Sequence, residues 1–514
     1  MGLILQSDTF FVASFNNQDD KYDNGGADVS HRGGRPGFVQ VEGNDLVIPD
    51  FAGNFFFNTL GNFIVYPRAG LLFLDFVSGD IIQVTGTVEL LWDTSGEIQS
   101  FRGAERAWRL RVVKGIRHRS ASPLRWSKFG EPSQNSLLTG TWTEAKKIRA
   151  SQVQASVWRS FGIARIEQES STIRSLYLEP VDGDPPLPFQ PGQYLTIRLP
   201  RLTLGKEKRI PIRTYSLSSA PSDPWYRISV KREAQGLMST YLHESVEIGH
   251  VIEARAPTGS FTLDVMEKRP AVLVAAGVGI TPMISMARES ITEGIRRRHV
   301  RPLTIFHVTR TLVERPFVQE LKAMELAGKG AIRYLSIVTQ PSTDTEDFHH
   351  AGRLTPEGFQ RYLPLDDYDF YLCGPTSFMQ DTYNILTFKL GVRDEKIFAE
   401  TFGPASLSRR TEEHTARAEP SAVEPALQAS VLFHRSGARQ IWTPELGTLL
   451  EFAESRGLTP EFGCRSGACG ICAVKVLSGK VTHRHAPTFP TKSENVLICC
   501  AVPAKCDLEL VLDF

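Results

Sequence analysis

Hydrophobic and polar positions along the chain change their rhythm four times. Residues 9–115 read as many short strands with turns such as Asn24-Gly-Gly, which predicts a separate β-domain at the front. A basic, Ser-rich stretch at about 145–157 shows little β-pattern and marks a boundary. Residues 158–264 are strand-rich with Pro and Gly turns, the pattern of an antiparallel barrel. From Pro270 to about 404, apolar strand runs alternate with helical patterns, which predicts a parallel α/β sheet. Residues 405–428 mix charge, Ala, Ser and Pro without apolar periodicity, as a flexible linker does. The last segment closes on the strand pattern Asp507-Leu-Glu-Leu-Val-Leu-Asp513. No internal repeat of fixed period is seen. The expected fold class is multidomain α/β plus β, divided at 1–145, 158–264, 265–404, 405–428 and 429–514.

Size agrees with that division, because 514 residues exceed what one core organises. A hydrophobic content of 41% and a charged content of 22% are those of a soluble globular protein. A formal net charge of +1 argues against wholesale attraction to nucleic acid or anionic membrane. The longest apolar run, Ala271 to Ala287, is broken by Gly277, Gly279 and Pro282, so no membrane span is expected. The opening residues Met1 to Asp8 have no basic region and too short an apolar run for a signal peptide. A reducing cytoplasm is the expected home.

Six of the seven cysteines lie at the C-terminal end, and their spacing is the most specific chemistry in the chain. Cys464-Arg-Ser-Gly-Ala-Cys469-Gly-Ile-Cys472, followed later by Cys499-Cys500, has the form C-x₄-C-x₂-C…C of a plant-type [2Fe–2S] site. Gly463, Gly467 and Gly470 allow a tight loop that aims backbone N–H groups at the sulfurs. Structural zinc would need a second short knuckle, of which only one half is present. Disulfides would imply export. The fourth ligand is Cys499 or Cys500.

Two further regions carry candidate cofactor contacts. Arg213-Thr-Tyr215-Ser216 combines a phosphate clamp, a ring to lie on an aromatic face and a hydroxyl for a ring nitrogen. Gly236-Leu-Met-Ser239 looks like a glycine turn feeding a helix, whose first amides suit a diphosphate. Ala271-Val-Leu-Val-Ala-Ala-Gly277-Val-Gly279-Ile-Thr281-Pro282 runs a buried strand through a glycine turn into a helix, a short dinucleotide cradle. Later Cys373-Gly374-Pro375 ends a strand with a small polarisable side chain where a nicotinamide could stack, and Glu400-Thr-Phe402-Gly403-Pro404 closes the domain.

In this order, R-x-Y-S, G-x-x-S, G-x-G-x-T-P, C-G-P and E-x-F-G-P resemble the ferredoxin–NADP⁺ reductase superfamily over residues 158–404. The similarity is to the reductase half of flavohaemoglobins and to ferredoxin-fused oxygenase reductases. It implies an FAD-binding barrel and an NAD(P)-binding sheet. Arg213, Gly236 and Ser239 would then hold flavin phosphates, with Tyr215 on one flavin face and Ser216 near N5. Gly277, Gly279, Thr281, Cys373 and Gly374 would hold NAD(P)H. Glu400 and Phe402 would complete the flavin site, and Ser216, Cys373 and Glu400 would be the catalytic residues. The segment 429–514 resembles a plant-type ferredoxin of β-grasp fold, which implies Cys499 as fourth ligand, Cys500 as the fallback and Cys506 as a spare thiol. Arg310 and Arg315, after the strand Leu303–Val308, are candidates to meet the 2′-phosphate of NADPH.

The front segment resembles a pyridoxamine-phosphate-oxidase-type split barrel on Ser30-His31-Arg32, Asn58-Thr59-Leu-Gly-Asn62 and their surroundings. That implies FMN at a homodimer interface, held by Ser30, Arg32, Asn58, Thr59 and Asn62. His31 is expected in an exposed loop. Unlike such domains, this one begins its first strand, Thr9 to Ser14, with no helical segment expected ahead of it.

Electron counting joins the parts. Nicotinamide gives two electrons as hydride, the cluster takes one at a time, and a flavin converts between them. The expectation is an NAD(P)H oxidoreductase passing electrons from FAD to [2Fe–2S]. From there they go to FMN and a small-molecule substrate in the front domain, or to an outside acceptor protein. Two alternatives stand beside it. One is a reductase for a separate oxygenase, with the barrel as dimerising or docking module. The other makes that module a ligand sensor.

Overall fold

The computed structural model of the chain describes residues 2–16, 26–53, 56–92, 98, 100–126, 133–152, 157–200, 210–341, 347–402, 407–409, 424–484, 487, 489, 491, 494–506 and 508–514. The turn at Asn24, Gly403, Pro404, Asp507 and most of the expected linker lie outside these residues. Contacts divide the chain into two units. One is Met1–Ala155 with the short segments Gly183–Pro188 and Thr292–His299, and the other is the remainder.

The first unit is built on seven strands: β1 (Thr9–Asn16), β2 (Gly26–Gly33), β3 (Gln40–Glu42), β4 (Asp45–Phe51), β5 (Arg68–Leu74), β6 (Ile81–Leu91) and β7 (Ala104–His118). They pair antiparallel in the order β2-β1-β5-β6-β7-β4-β3. In β1 burial alternates along Thr-Phe-Phe-Val-Ala-Ser-Phe-Asn, so Phe10 and Val12 enter a core with Phe38, Phe73 and Trp108. A five-residue helix, Gly2–Gln6, does precede β1. His31 lies exposed in strand β2 rather than in a loop, with its ring against Phe11. The boundary expected at 145 falls inside the helix Trp142–Gln152, because Trp142 and Ala145 belong to this core. Trp142 Nε1 also donates to the Phe38 carbonyl at 2.8 Å.

The second unit opens with β8 (Arg159–Gln168), β9 (Ile173–Pro180), β10 (Tyr194–Arg198), β11 (Ile212–Ser216), β12 (Tyr226–Lys231) and β13 (Val251–Ala254). Their order is β11-β10-β13-β8-β9-β12, and a bridge between Leu217 and Ile228 joins the two ends into a barrel. Next come β14 (Ala271–Ala276), β15 (Leu303–Thr309), β16 (Ile332–Val338), β17 (His350–Ala351), β18 (Asp369–Gly374) and β19 (Ile397–Thr401). These form an all-parallel sheet ordered β17-β16-β15-β14-β18-β19. Every residue of β14 is buried, as a strand covered on both faces requires. Strand order reverses between β14 and β18, so a ligand crevice is expected at their carboxyl ends.

The last domain has β20 (Ala429–Phe433), β21 (Ala438–Trp442), β22 (Ala473–Ser478), β23 (Val481–His483), β24 (Asn495–Leu497), β25 (Ala501–Pro503) and β26 (Leu510–Leu512). The first sheet runs β21-β20-β26-β22-β24, with β20 and β26 parallel, and β23 pairs with β25. The helix Leu449–Ser455 starts on a reciprocal Thr448–Glu451 cap and buries Leu449, Leu450, Phe452 and Ala453. No described helix is long and apolar enough to cross a membrane.

A buried ion network joins barrel and parallel sheet. Arg227 on β12, only 4% exposed, meets Glu320 of the helix Val318–Ala327 through two hydrogen bonds of 2.9 and 3.1 Å. Arg288 links Glu320 (2.7 Å) back to Asp223 (2.8 Å). Burial alone would raise the Glu320 pKa, but Arg227 and Arg288 overcome it and hold the carboxyl below its ordinary value. Removing one partner strands a buried charge, at a cost of about 3 kcal/mol or more. Glu320→Ala is therefore expected to lower the melting temperature by roughly 5 °C or more, measured by calorimetry at neutral pH.

Candidate functional site

β11 and β19 present their ends to one cavity of about 520 Å³. Arg213 and Ser216 line it from the barrel, Glu400 and Phe402 from the parallel sheet, and Phe462 and Cys464 from the cysteine loop. Ser216 Oγ donates to Glu400 Oε2 at 3.3 Å. Burial pushes the Glu400 carboxyl up to about 8, and the Ser216 hydrogen bond offsets this only in part. Glu400 also stands opposite Cys373 in the β18–β19 register. The three residues expected to be catalytic are thus neighbours.

Their roles are unequal. Cys373 is completely buried among Ile280, Met283 and Ile284, so its thiol faces the sheet core rather than an open nicotinamide face. Burial and the nearby Glu400 hold that thiol protonated. The close approach at this point is made by backbone. A Cβ on Gly279 would lie 2.2 Å from the Cys373 carbonyl oxygen, which is why the turn after β14 needs glycine there. Gly277 begins that turn with φ +55°, and Thr281 Oγ1 closes onto the Val278 carbonyl at 3.0 Å.

Several expected contacts are engaged elsewhere. Tyr215 packs against the barrel core and is not part of the cavity wall. Ser239 donates to the Gly236 carbonyl (2.9 Å) and accepts from Glu233 N–H (3.2 Å). With that hydroxyl closing the turn, the backbone amides that open the helix Leu237–Glu244 are what a diphosphate would meet. Arg315 is buried against Asp347 and Ser336, and Arg310 pairs with Glu314 at 3.1 Å. With its guanidinium, paired hydroxyl and carboxyl, and aromatic walls, this cavity suits a flavin.

The thiols converge as the spacing predicts for a cluster. Cys464 lies within hydrogen-bond reach of Cys469 and Cys499, and Cys499 within reach of Cys472. Backbone N–H groups point at the sulfurs: Ser466 and Ala468 to Cys464 (3.4 and 3.3 Å), Cys464 to Cys469 (3.3 Å) and Gly467 to Cys499 (3.2 Å). Hydrogen bonds from Cys464 and Cys472, helped by the Gly467 amide, push the Cys499 thiol pKa down. Cys500 keeps its proton, directed at the Leu497 carbonyl (3.3 Å). Gly467 takes φ +75°, and a Cβ there would press on Cys500 Sγ at 3.1 Å. Among the described residues no set of three or more His, Cys, Asp or Glu closes around a single ion. The donor set suits the wider two-iron cluster, in which Cys499 rather than Cys500 would be the fourth ligand.

The front-domain candidates meet one another in another sense. Thr59 Oγ1 donates to Asp28 Oδ2 (2.6 Å) and touches Ser30 Oγ (2.9 Å). Asn62 donates to Ser14 (2.9 Å), and Asn58 opens the helix Asn58–Val65. Arg32 is paired with the buried Asp50 at 2.6 Å. Carboxylates hold two of the donors that a flavin phosphate would need, Thr59 and Arg32, so the fit to FMN is poor and no electron step is routed through these residues.

Comparison with known proteins agrees with the three rear domains. Residues 160–263 match the oxidoreductase FAD-binding domain, 273–384 the oxidoreductase NAD-binding domain and 434–504 the 2Fe-2S iron-sulfur cluster binding domain. The chain carries these domains of an oxidoreductase, which accounts for FAD, NAD(P)H and a [2Fe–2S] cluster. It is 33% identical over 274 residues to flavohemoprotein A of Dictyostelium discoideum, covering 51% of this chain and 65% of that one. It is 38% identical over 250 residues to the flavohemoprotein of Deinococcus radiodurans, covering 48% and 60%. The chain thus spans less than two thirds of these relatives' length. Among solved structures, phthalate dioxygenase reductase is 26% identical, covering 70% of this chain and 99% of that one, with a TM-score of 0.43. The flavohem-like FAD/NAD-binding domain of nitric oxide dioxygenase from Vibrio cholerae is 33% identical, covering 48% and 99%, with a TM-score of 0.42.

Trp158, Arg255 and Phe462, described below, belong to no recognisable motif, and Arg465 lies inside the cysteine motif with no role that its spacing reveals.

Proposed function

We propose that this chain is an NADH-oxidising reductase that delivers single electrons from its cluster to an acceptor protein of the oxygenase kind. The observation that carries this is the shared cavity wall: Cys464 stands on the same cavity as Ser216 and Glu400. When bound, FAD takes hydride from the nicotinamide and releases electrons one at a time. The protein's part is to hold the reacting rings at Ser216 and Glu400 and to present the cluster loop directly. NADH is favoured over NADPH because Arg315 and Arg310 are spent on Asp347 and Glu314.

Anaerobic stopped-flow mixing tests this. NADH should bleach the flavin and then the cluster of the same molecule, with a kcat/KM at least tenfold above that for NADPH. Flavin bleaching with an assembled cluster that stays oxidised would overturn the electron path. A preference for NADPH would overturn the nucleotide assignment alone.

A further inference from the structure

Two arginine–aromatic stacks occupy the seam between the ferredoxin domain and the FAD barrel. Phe462 lies beneath Arg213 (5.2 Å) and Arg465 (3.8 Å), and Arg465 is paired with Glu454. Trp158 lies beneath Arg198 (4.5 Å) and Arg255 (4.7 Å). Trp158 packs on an apolar patch of Tyr194, Ile212, Cys469 and Ile471, with Cys464 and Ala468 beside it. The second stack therefore sits against two of the four cluster ligands.

Its two arginines differ. Arg198 has a carboxylate, Glu253, in direct contact. Arg255 has a buried Nε without a hydrogen-bond partner, and among the described residues no carboxylate pairs with it. Burial weighs most against its charged form, Glu461 and Cys469 favour the cation, and Arg198 opposes it. A guanidinium keeps its proton in proteins, and this half-buried one has no carboxylate among the described residues within ion-pair range, so a close counter-charge would stabilise it. A [2Fe–2S] cluster on four thiolates supplies that charge: it is a dianion when oxidised and gains another negative charge on reduction.

We propose that Arg255, placed over the Trp158 ring, is a positioning residue that docks the ferredoxin domain through the charge of its cluster and raises the cluster's reduction potential. The inference rests on the electron path above. In that step one electron leaves reduced FAD and one ferric ion of the cluster becomes ferrous. The added negative charge tightens its attraction to Arg255, so docking and reduction favour each other.

The test is an EPR-monitored redox titration of the full chain, with iron and FAD counted. Arg255→Gln should shift the cluster's oxidised-to-reduced ratio roughly tenfold toward oxidised at a given potential, a fall of about 59 mV. FAD should titrate as in the wild type. Arg198→Gln, which removes a stacked cation already paired with Glu253, should leave the cluster potential unchanged. A wild-type potential in Arg255→Gln, or an equal fall in Arg198→Gln, would overturn the proposal. If Arg255→Gln assembles no cluster, Arg255→Lys decides: an unchanged potential supports the role of charge, and a tenfold shift refutes it. Absence of any cluster in the wild type would instead defeat the electron path itself.

Discussion

Cys499→Ala should abolish the cluster's visible absorption and EPR signal, while Cys500→Ala should keep both at wild-type levels. The two cysteines are adjacent in sequence but differ in what their sulfurs meet. Cys499 Sγ accepts the Gly467 amide at 3.2 Å and lies within reach of Cys464 and Cys472. Cys500 is turned to the Leu497 carbonyl and keeps its proton. Only a thiolate ligates iron strongly, so losing Cys499 leaves three donors for a cluster that needs four. Reduction of FAD by NADH should survive in Cys499→Ala, because Ser216 and Glu400 come from other domains. Iron analysis and a flavin-bleaching trace on one preparation separate the two effects. A cluster retained in Cys499→Ala but lost in Cys500→Ala would reverse the ligand assignment.

What could be read from the chain depended on how far apart the cooperating residues lie. Cys464, Cys469 and Cys472 share one loop, so ligand geometry dictates their spacing and the spacing reveals them. The strand–glycine–helix run at Ala271–Pro282 is equally local, and the parallel sheet around it follows from its uniformly apolar strand. Side-chain roles that depend on a distant partner were not legible. Arg315 looked available for a phosphate until Asp347 was seen to hold it. Arg32 and Thr59 looked like phosphate donors until Asp50 and Asp28 appeared beside them. Ser239 is a different case, since its competitor is the Gly236 carbonyl of its own turn. Arg255 gave no local sign at all, because its meaning comes from a thiolate loop in another domain.

Glu400→Gln should remove a pH dependence from NADH-driven flavin reduction. Burial lifts the Glu400 carboxyl to about 8. It therefore carries a proton over most of the neutral range, at roughly nine molecules in ten at pH 7. Above that midpoint it becomes an anion on the wall of the cavity that receives electrons, where it opposes the accumulating negative charge. The reduction rate should be flat below about pH 7, fall by roughly tenfold through pH 8 and level off above it. Gln keeps the shape and a hydrogen bond for Ser216 but cannot ionise, so its profile should stay flat near the acid-limb rate. Ser216→Ala gives the converse. The Ser216 hydroxyl at 3.3 Å favours the carboxylate, so its loss should move the midpoint above 8. Stopped-flow profiles from pH 6 to 10 on the three proteins decide the matter. A step near pH 8 that persists in Glu400→Gln would assign the titration to another group and leave Glu400 a structural support for Ser216.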